Sequence, residues 1–278
     1  MLKGHSADQC EIELRAAALG YPGKLVFDAL DLSIRPGRLT ALCGPNGSGK
    51  STALRAMRAM LPTQAGSVLL RDIPLSQIPA KALAREIAML TQSPTAPDEM
   101  SVEQLVSLGR YAHRRAFAPD ARADREAVAV ALAQTNLAEL AHRAIGTLSG
   151  GQLQRVWIAM VLAQAAPVIL LDEPTNHLDI AHALEVLSLV QRLGAQEGKT
   201  VVVVLHDLNL AARFADDIVF FRAGQVAGCG PVEAVFHQEL IEDVFGIECI
   251  VRREEASGRP FCVPLAACPA RRDRLVQD

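Results

Sequence analysis

The chain has 278 residues, half of them apolar, which is enough to bury a large core as one sizeable domain or two small ones. With 28 basic against 31 acidic side chains and a formal charge of −3, it lacks the cationic surplus that wrapping nucleic acid or coating an anionic membrane would demand. No apolar run nears the roughly 20 residues needed to span a bilayer, and the first ten residues carry no hydrophobic leader, which predicts a soluble chain kept in the cytoplasm. Its six cysteines (10, 43, 229, 249, 262, 268) form no C-x-x-C pair and read as buried or incidental thiols rather than a disulfide scaffold or a zinc site.

In chain order, Glu11-Ile12-Glu13-Leu14 and Leu30-Asp31-Leu32-Ser33-Ile34 alternate apolar and polar residues as half-buried strands do, and Pro36-Gly37 turns the chain after the second. An antiparallel edge sheet is predicted there. The apolar run 39–43 then leads into Gly44-Pro45-Asn46-Gly47-Ser48-Gly49-Lys50-Ser51-Thr52 and a helix from 51 to about 60, stopped with the help of Pro62. Strands come next at 67–70 and 86–90. Residues 93–146 are rich in Ala, Leu and Glu without a convincing strand and read as a helical insertion. Val168-Ile169-Leu170-Leu171 and the tetravaline run 201–204 are continuously apolar, the texture of strands buried on both faces of a parallel sheet. A hairpin over 217–226 precedes a C-terminal tail.

The segment 44–52 fits G-x-x-x-x-G-K-[ST] between a strand and a helix, the context a phosphate-binding loop requires. Its backbone N–H groups would cradle phosphate at a helix N-terminus, with Lys50 reaching the β and γ phosphates and the Ser51 hydroxyl on Mg²⁺. ATP and Mg²⁺ are therefore the predicted ligands. Asp172 and Glu173 fall at the end of an apolar strand, where ligands of open α/β sheets bind. Asp172 suits a water-mediated metal ligand, and Glu173 would orient and polarise the attacking water. His206 comes directly after the apolar strand 201–205 and is a γ-phosphate contact by position, although a lone histidine is more often a surface or satisfied core residue. Gln92, after the 86–90 strand, could touch Mg²⁺ or the water; by itself it reads as a loop residue. Ser149-Gly150-Gly151-Gln152 makes a second glycine-rich helix start, either a helix cap or a second anion site. Two half-sites in one chain predict a head-to-tail homodimer with C2 symmetry and two ATP molecules in its seam.

With these residues in hand, the chain resembles the ATP-binding subunit of ABC transporters from about residue 11 to 264. Residues 44–52 match its Walker A motif, Gln92 the Q-loop, 148–152 the signature, 168–173 Walker B, Asn176-His177-Leu178-Asp179 the D-loop and His206 the switch histidine. The resemblance implies a P-loop NTPase with a RecA-like α/β core, an N-terminal antiparallel β-subdomain and an inserted α-helical subdomain at about 93–165, flanked by tails at 1–10 and 265–278. It further implies that Tyr21 stacks on adenine, that Glu173 is the catalytic base, and that Asp179 lies at the dimer seam. Leu108-Gly109-Arg110-Tyr111, Leu178-Asp179-Ile180-Ala181-His182, His206-Asp207-Leu208-Asn209 and Val244-Phe245-Gly246-Ile247 are similar to the importers of iron–siderophore complexes, haem and cobalamin. Ala112, Ala183 and Leu153 depart from residues common in that subgroup, Pro, Gln and Arg respectively. Iron–siderophore import is the first expectation, with haem or cobalamin import as the alternative. Such a subunit would work peripherally on the cytoplasmic face of the inner membrane, with integral permease subunits whose coupling helix meets residues 93–113, and indirectly with a substrate-binding protein. A soluble ABC ATPase acting on DNA or the ribosome is the rival. No long coiled coil, second cassette or basic surplus supports it, and no nucleic-acid partner is expected.

Overall fold

Alternation along the first two strands buries one face of each. Ile12, Leu14, Ala17 and Leu19 of β1 (Ile12–Tyr21) and Phe27, Leu30, Leu32 and Ile34 of β2 (Lys24–Ile34) are all within 4 % of full burial. The computed structural model describes residues 10–114, 121–176 and 178–268. They fall into two units, one drawn from residues 10–77 and 202–268 and the other from residues 78–114, 121–176 and 178–201.

In the first unit β1 pairs antiparallel with β2, Ile12 opposite Ile34 and Leu14 opposite Leu32, until the register shifts past Leu14. The shift is a bulge. Ala16 sits at φ 43° with its N–H donating to Asp31 Oδ1 at 2.8 Å, a left-handed backbone that the alternation of the sequence does not announce. Strand β3 (Leu39–Cys43) is buried throughout and leads to α1 (Lys50–Met57). The helix ends three residues before the expected 60, because Ala59 turns left-handed at φ 59° before Pro62 is reached. Strand β4 (Ala65–Leu70) pairs antiparallel with β1, and the short β5 (Ile73–Pro74) with β4. The expected antiparallel sheet is thus present, in the order β2-β1-β4-β5.

The second unit opens with α2 (Ala80–Glu86) and β6 (Ile87–Leu90), so Glu86 closes a helix instead of starting the strand. Helices α3 (Val102–Leu108), α4 (Ala121–Gln134) and α5 (Gly150–Ala163) pack on one another, as the strand-free composition of this stretch predicts. Arg110 is 7 % exposed and ties α4 to α5, with Nε donating to Asp124 Oδ1 (2.9 Å) and Nη1 to the Ala163 carbonyl (2.8 Å). Strand β7 (Val168–Asp172) runs parallel to β6 with Leu171 opposite Leu90, and α6 (Ile180–Glu197) comes after it.

Strand β8 (Thr200–Val204) brings the chain back to the first unit, where the Leu205 N–H donates to the Leu42 carbonyl at the end of β3 (3.2 Å). Then come α7 (Leu208–Phe214) and β9 (Asp217–Arg222), which runs parallel to β3. Ala223 (φ 46°) and Gly224 (φ 73°) form a two-residue loop of the I′ kind into β10 (Gln225–Pro231), the hairpin read from the sequence. Two short helices, α8 (Val232–Val235) and α9 (Gln238–Phe245), precede an antiparallel pair, β11 (Ile247–Arg253) and β12 (Pro260–Ala267). This pair corrects the sequence reading, which began a tail at 265. Backbone pairing of Ile247 with Ala267 carries the strand two residues past that point. Residues 1–9 and 269–278, most of the two expected tails, lie outside the described residues. At the base of β9, Arg35 and Arg38 both grip Asp217, which is 4 % exposed, with Arg38 Nε at 2.8 Å and Arg35 Nε at 3.0 Å from Oδ2.

Candidate nucleotide site

The phosphate loop is pressed between two strands of its own unit. A Cβ at Gly49 would stand 2.3 Å from the Phe27 ring of β2, and one at Gly44 would stand 2.3 Å from the Phe221 carbonyl of β9. Phe27 and Phe221 themselves meet edge to face at 5.5 Å, so the floor of the loop is rigid. At Gly49 the backbone takes φ 106°, a second reason why no side chain fits there. Gly49 is also the N-cap of α1 and supplies no capping group, whereas Ser101, Ser149, Asp179 and Asp207 cap α3, α5, α6 and α7 with side-chain oxygens. The first turn of α1 thus carries no side-chain cap, the setting in which a helix N-terminus takes an anion. Lys50 is 5 % exposed and spans the loop, donating to the carbonyls of Gly44 (2.8 Å) and Pro45 (2.9 Å). Ser48 Oγ is buried with no hydrogen-bond partner among the described residues, an orphaned polar atom inside the cradle. Asn46 and Gly47 are exposed at the tip of the loop, and Thr52 is buried in α1. A polyphosphate fits this arrangement. Beneath it, burial pushes the Cys43 thiol up to about 12, with Lys50 opposing the shift.

Two further residues of this unit were expected at the nucleotide. Tyr21, 37 % exposed at the end of β1, accepts a hydrogen bond from Arg55 Nη1 of α1 (3.1 Å), so its ring is fixed relative to the helix that starts at the loop. His206 is exposed directly after Leu205, whose N–H is bonded to Leu42, two residues before Gly44. Asp207 Oδ1 accepts from Asn209 N (2.8 Å) and Leu210 N (3.0 Å) and fixes the start of α7. Arg55 and the capping role of Asp207 were missed in the sequence, although an Asp just before an apolar helical stretch is a recognisable start signal.

In the second unit the parallel pairing of β6 and β7 brings together the loops that leave the two strands at their carboxyl ends. Gln92 Nε2 donates to Glu173 Oε2 at 2.6 Å, and Asn176 Nδ2 donates to the same oxygen. Glu173 is 9 % exposed and sits at φ 54°, a left-handed backbone uncommon for a residue with a side chain. Asn176 was read only as part of a motif, and its contact with Glu173 is visible only in three dimensions. Asp172, 1 % exposed, ends β7. The carboxylate of Asp172 and the hydroxyl of Ser51 are hard oxygen donors, the donor chemistry that suits Mg²⁺. Gln92 has its amide nitrogen committed to Glu173, which leaves its carbonyl oxygen as the possible metal ligand.

Ser149 and Gln152 form a reciprocal capping box at α5, Ser149 N donating to Gln152 Oε1 (3.0 Å) and Gln152 N to Ser149 Oγ (3.3 Å). The Ser149 hydroxyl proton and the amides of Gly150 and Gly151 are what this turn can still offer an anion; Ser149 and Gly150 are exposed. Asp179 caps α6, and hydrogen bonds from the His182 N–H (2.9 Å) and ring Nδ1 (2.8 Å) hold its carboxyl below the ordinary range. Of the expected D-loop, His177 lies outside the described residues.

These features define an α/β P-loop nucleotide-binding protein. The profile described as ABC transporter matches residues 27–176. The chain is 40% identical over 245 residues to the iron(3+)-hydroxamate import ATP-binding protein FhuC of Bacillus subtilis (strain 168), covering 88% of this chain and 91% of that one. It is also similar to a solved metal-chelate type ABC transporter in an inward-facing conformation, with 27% identity, a TM-score of 0.80, and 93% and 98% of the two chains covered. A dimeric bacterial ABC transporter cassette matches at 30% identity and a TM-score of 0.70, over 80% of this chain and 98% of that one. The chain belongs to the ABC transporter family.

Proposed function

We propose that this protein is the ATP-hydrolysing subunit of an importer that carries iron(III)–siderophore complexes, acting as a homodimer on the cytoplasmic face of the cell membrane. Both units, residues 11–264, serve as one ATPase domain, with the helices around 93–165 as its helical subdomain. The observation that carries hydrolysis is the Glu173 cluster, a carboxylate gripped by two side-chain amides at the end of a buried strand. In this reading residues 44–52 and Tyr21 bind ATP, His206 contacts the γ-phosphate, and Glu173 takes the proton from water with Gln92 orienting it. Ser51, Asp172 and Gln92 would hold Mg²⁺, which when bound neutralises charge building on the phosphate oxygens. Ser149, Gly150, Gly151 and Gln152, with Asp179, would complete the site on the partner subunit.

Support for a permease partner comes from the second unit. Pro97, Met100, Leu108 and the acidic Glu99 and Glu103 line a surface groove within the stretch expected to receive a coupling helix, and Tyr111 of the same stretch is 76 % exposed. The iron-chelate cargo is supported by the name of the FhuC relative. Co-purification of the tagged chain from solubilised membranes, followed by uptake assays in the reconstituted complex, tests the reading. ATP-dependent uptake of an iron(III) siderophore with a multi-span permease pair is the expected result. Uptake of haem or cobalamin alone would replace the cargo, and recovery only with ribosomes or DNA would refute transport.

A further inference from the structure

Helix α7 has seven residues, too few to hold a helix in water without outside support. That support comes from the C-terminal strand pair. Asn209 Oδ1 accepts the Cys262 N–H at 2.7 Å, and Asn209 Nδ2 donates to the Cys262 carbonyl at 3.1 Å. One side chain thus exchanges two bonds with one residue of β12, as strand neighbours do, and the fixed polarity of the Cys262 backbone sets the amide's orientation. At the other end of α7, Arg259 Nη1 donates to the Ala215 carbonyl (2.9 Å) and more weakly to that of Ala212 (3.4 Å). Asn209 also lies in the first turn that Asp207 caps, and its own N–H is one of the two that Asp207 holds. His206 lies between Leu205, whose N–H is fixed to β3, and Asp207, whose carboxylate holds the Asn209 N–H. The exposed imidazole therefore has one flank anchored by the sheet and the other by β12.

We infer that Asn209 is a positioning residue for His206, and that the strand pair β11–β12 sets the histidine's place through it. The inference rests on the proposed role of His206 at the γ-phosphate. Asn209→Ala removes both bonds to Cys262 while leaving the phosphate loop untouched. Expected are a roughly tenfold fall in kcat per folded molecule and a KM for ATP within twofold, because nucleotide binding relies on residues 44–52. Arg71→Ala supplies the control: it breaks the ion pair with the buried Glu11 (2.5 Å) in the β1–β4 region and should lower Tm without changing kcat more than twofold. In a His206→Ala background Asn209→Ala should cost less than a further twofold, since two residues acting through one group do not add. In protein carrying 13C-labelled histidine, the His206 ring resonance should move in Asn209→Ala and stay in Arg71→Ala. Should Asn209→Ala not fold, Asn209→Ser, whose hydroxyl cannot reach both backbone groups, takes its place.

An unmoved His206 resonance together with unchanged kcat would overturn the inference, as would an equal loss in the His206→Ala background. Wild-type turnover by His206→Ala alone would instead refute the catalytic role of His206, and the resonance would then decide the positioning claim by itself.

Discussion

Replacing Glu173 with Gln separates chemistry from folding. The side chain stays isosteric, and its remaining carbonyl oxygen can still accept from Gln92 and Asn176, the two donors that now converge on Oε2. Each bond changes from charge-assisted to neutral, a loss of about 1 kcal/mol apiece. Two such bonds give about 2 kcal/mol, reduced because a group only 9 % exposed no longer carries a desolvated charge. For a chain of this length that is a fall in Tm of roughly 4–8 °C at most. Loss of a general base is larger in effect, about 10²- to 10⁴-fold in rate. Phosphate release at saturating Mg²⁺–ATP should therefore collapse while a fluorescent ATP analogue still binds with normal affinity, and gel filtration with ATP should show an accumulated dimer. Turnover within threefold of wild type, with ATP bound, would refute the assignment of Glu173 as base.

Other consequences test the scaffold. Ala223→Asn, placed in the first left-handed position of the β9–β10 turn, should raise stability by about 0.5–1 kcal/mol in a denaturant titration, because Asn-Gly is preferred in that turn type. An unchanged or lower midpoint would contradict the turn assignment. Asp217→Ala leaves Arg35 and Arg38 without their shared carboxylate; as both arginines are partly exposed, the expected loss is about 2–3 kcal/mol, and a Tm within 2 °C of wild type would show that the cluster contributes little. The Cys43 thiol, held up at about 12 by burial, should be about 10⁻⁴ thiolate at pH 8 and escape alkylation in the native protein. Exposed Cys229, although burial of its thiol and the nearby Asp217 also push it up, should react ahead of Cys43, and mass spectrometry finding comparable labelling of Cys43 would contradict its burial. Ser149→Arg should leave nucleotide binding intact and abolish hydrolysis; ATPase surviving in that variant would refute the site shared between subunits.

Local grammar determined much of this protein. The spacing of Gly44, Gly49, Lys50 and Ser51 after a buried apolar run defines a phosphate loop because backbone amides, one cation and one hydroxyl are what a polyphosphate needs. Alternation in β1 and β2 and continuous apolarity in β7 and β8 likewise announced one-sided and two-sided burial, because side-chain period is fixed directly by backbone geometry. Tertiary structure decided what depends on residues far apart in the chain. Gln92 lies 81 positions before Glu173 and meets it only through the parallel pairing of β6 and β7. Asp217 reaches Arg35 across 182 positions and Asn209 reaches Cys262 across 53, with no periodicity to mark either. The bulge at Ala16 and the left-handed Glu173 belong to the same class, since the packing around them, and not their own preference, holds those backbone angles. Sequence pattern records the demands each residue makes on its neighbours along the chain; a hydrogen bond between distant loops exists only once the sheet has set the distance between them.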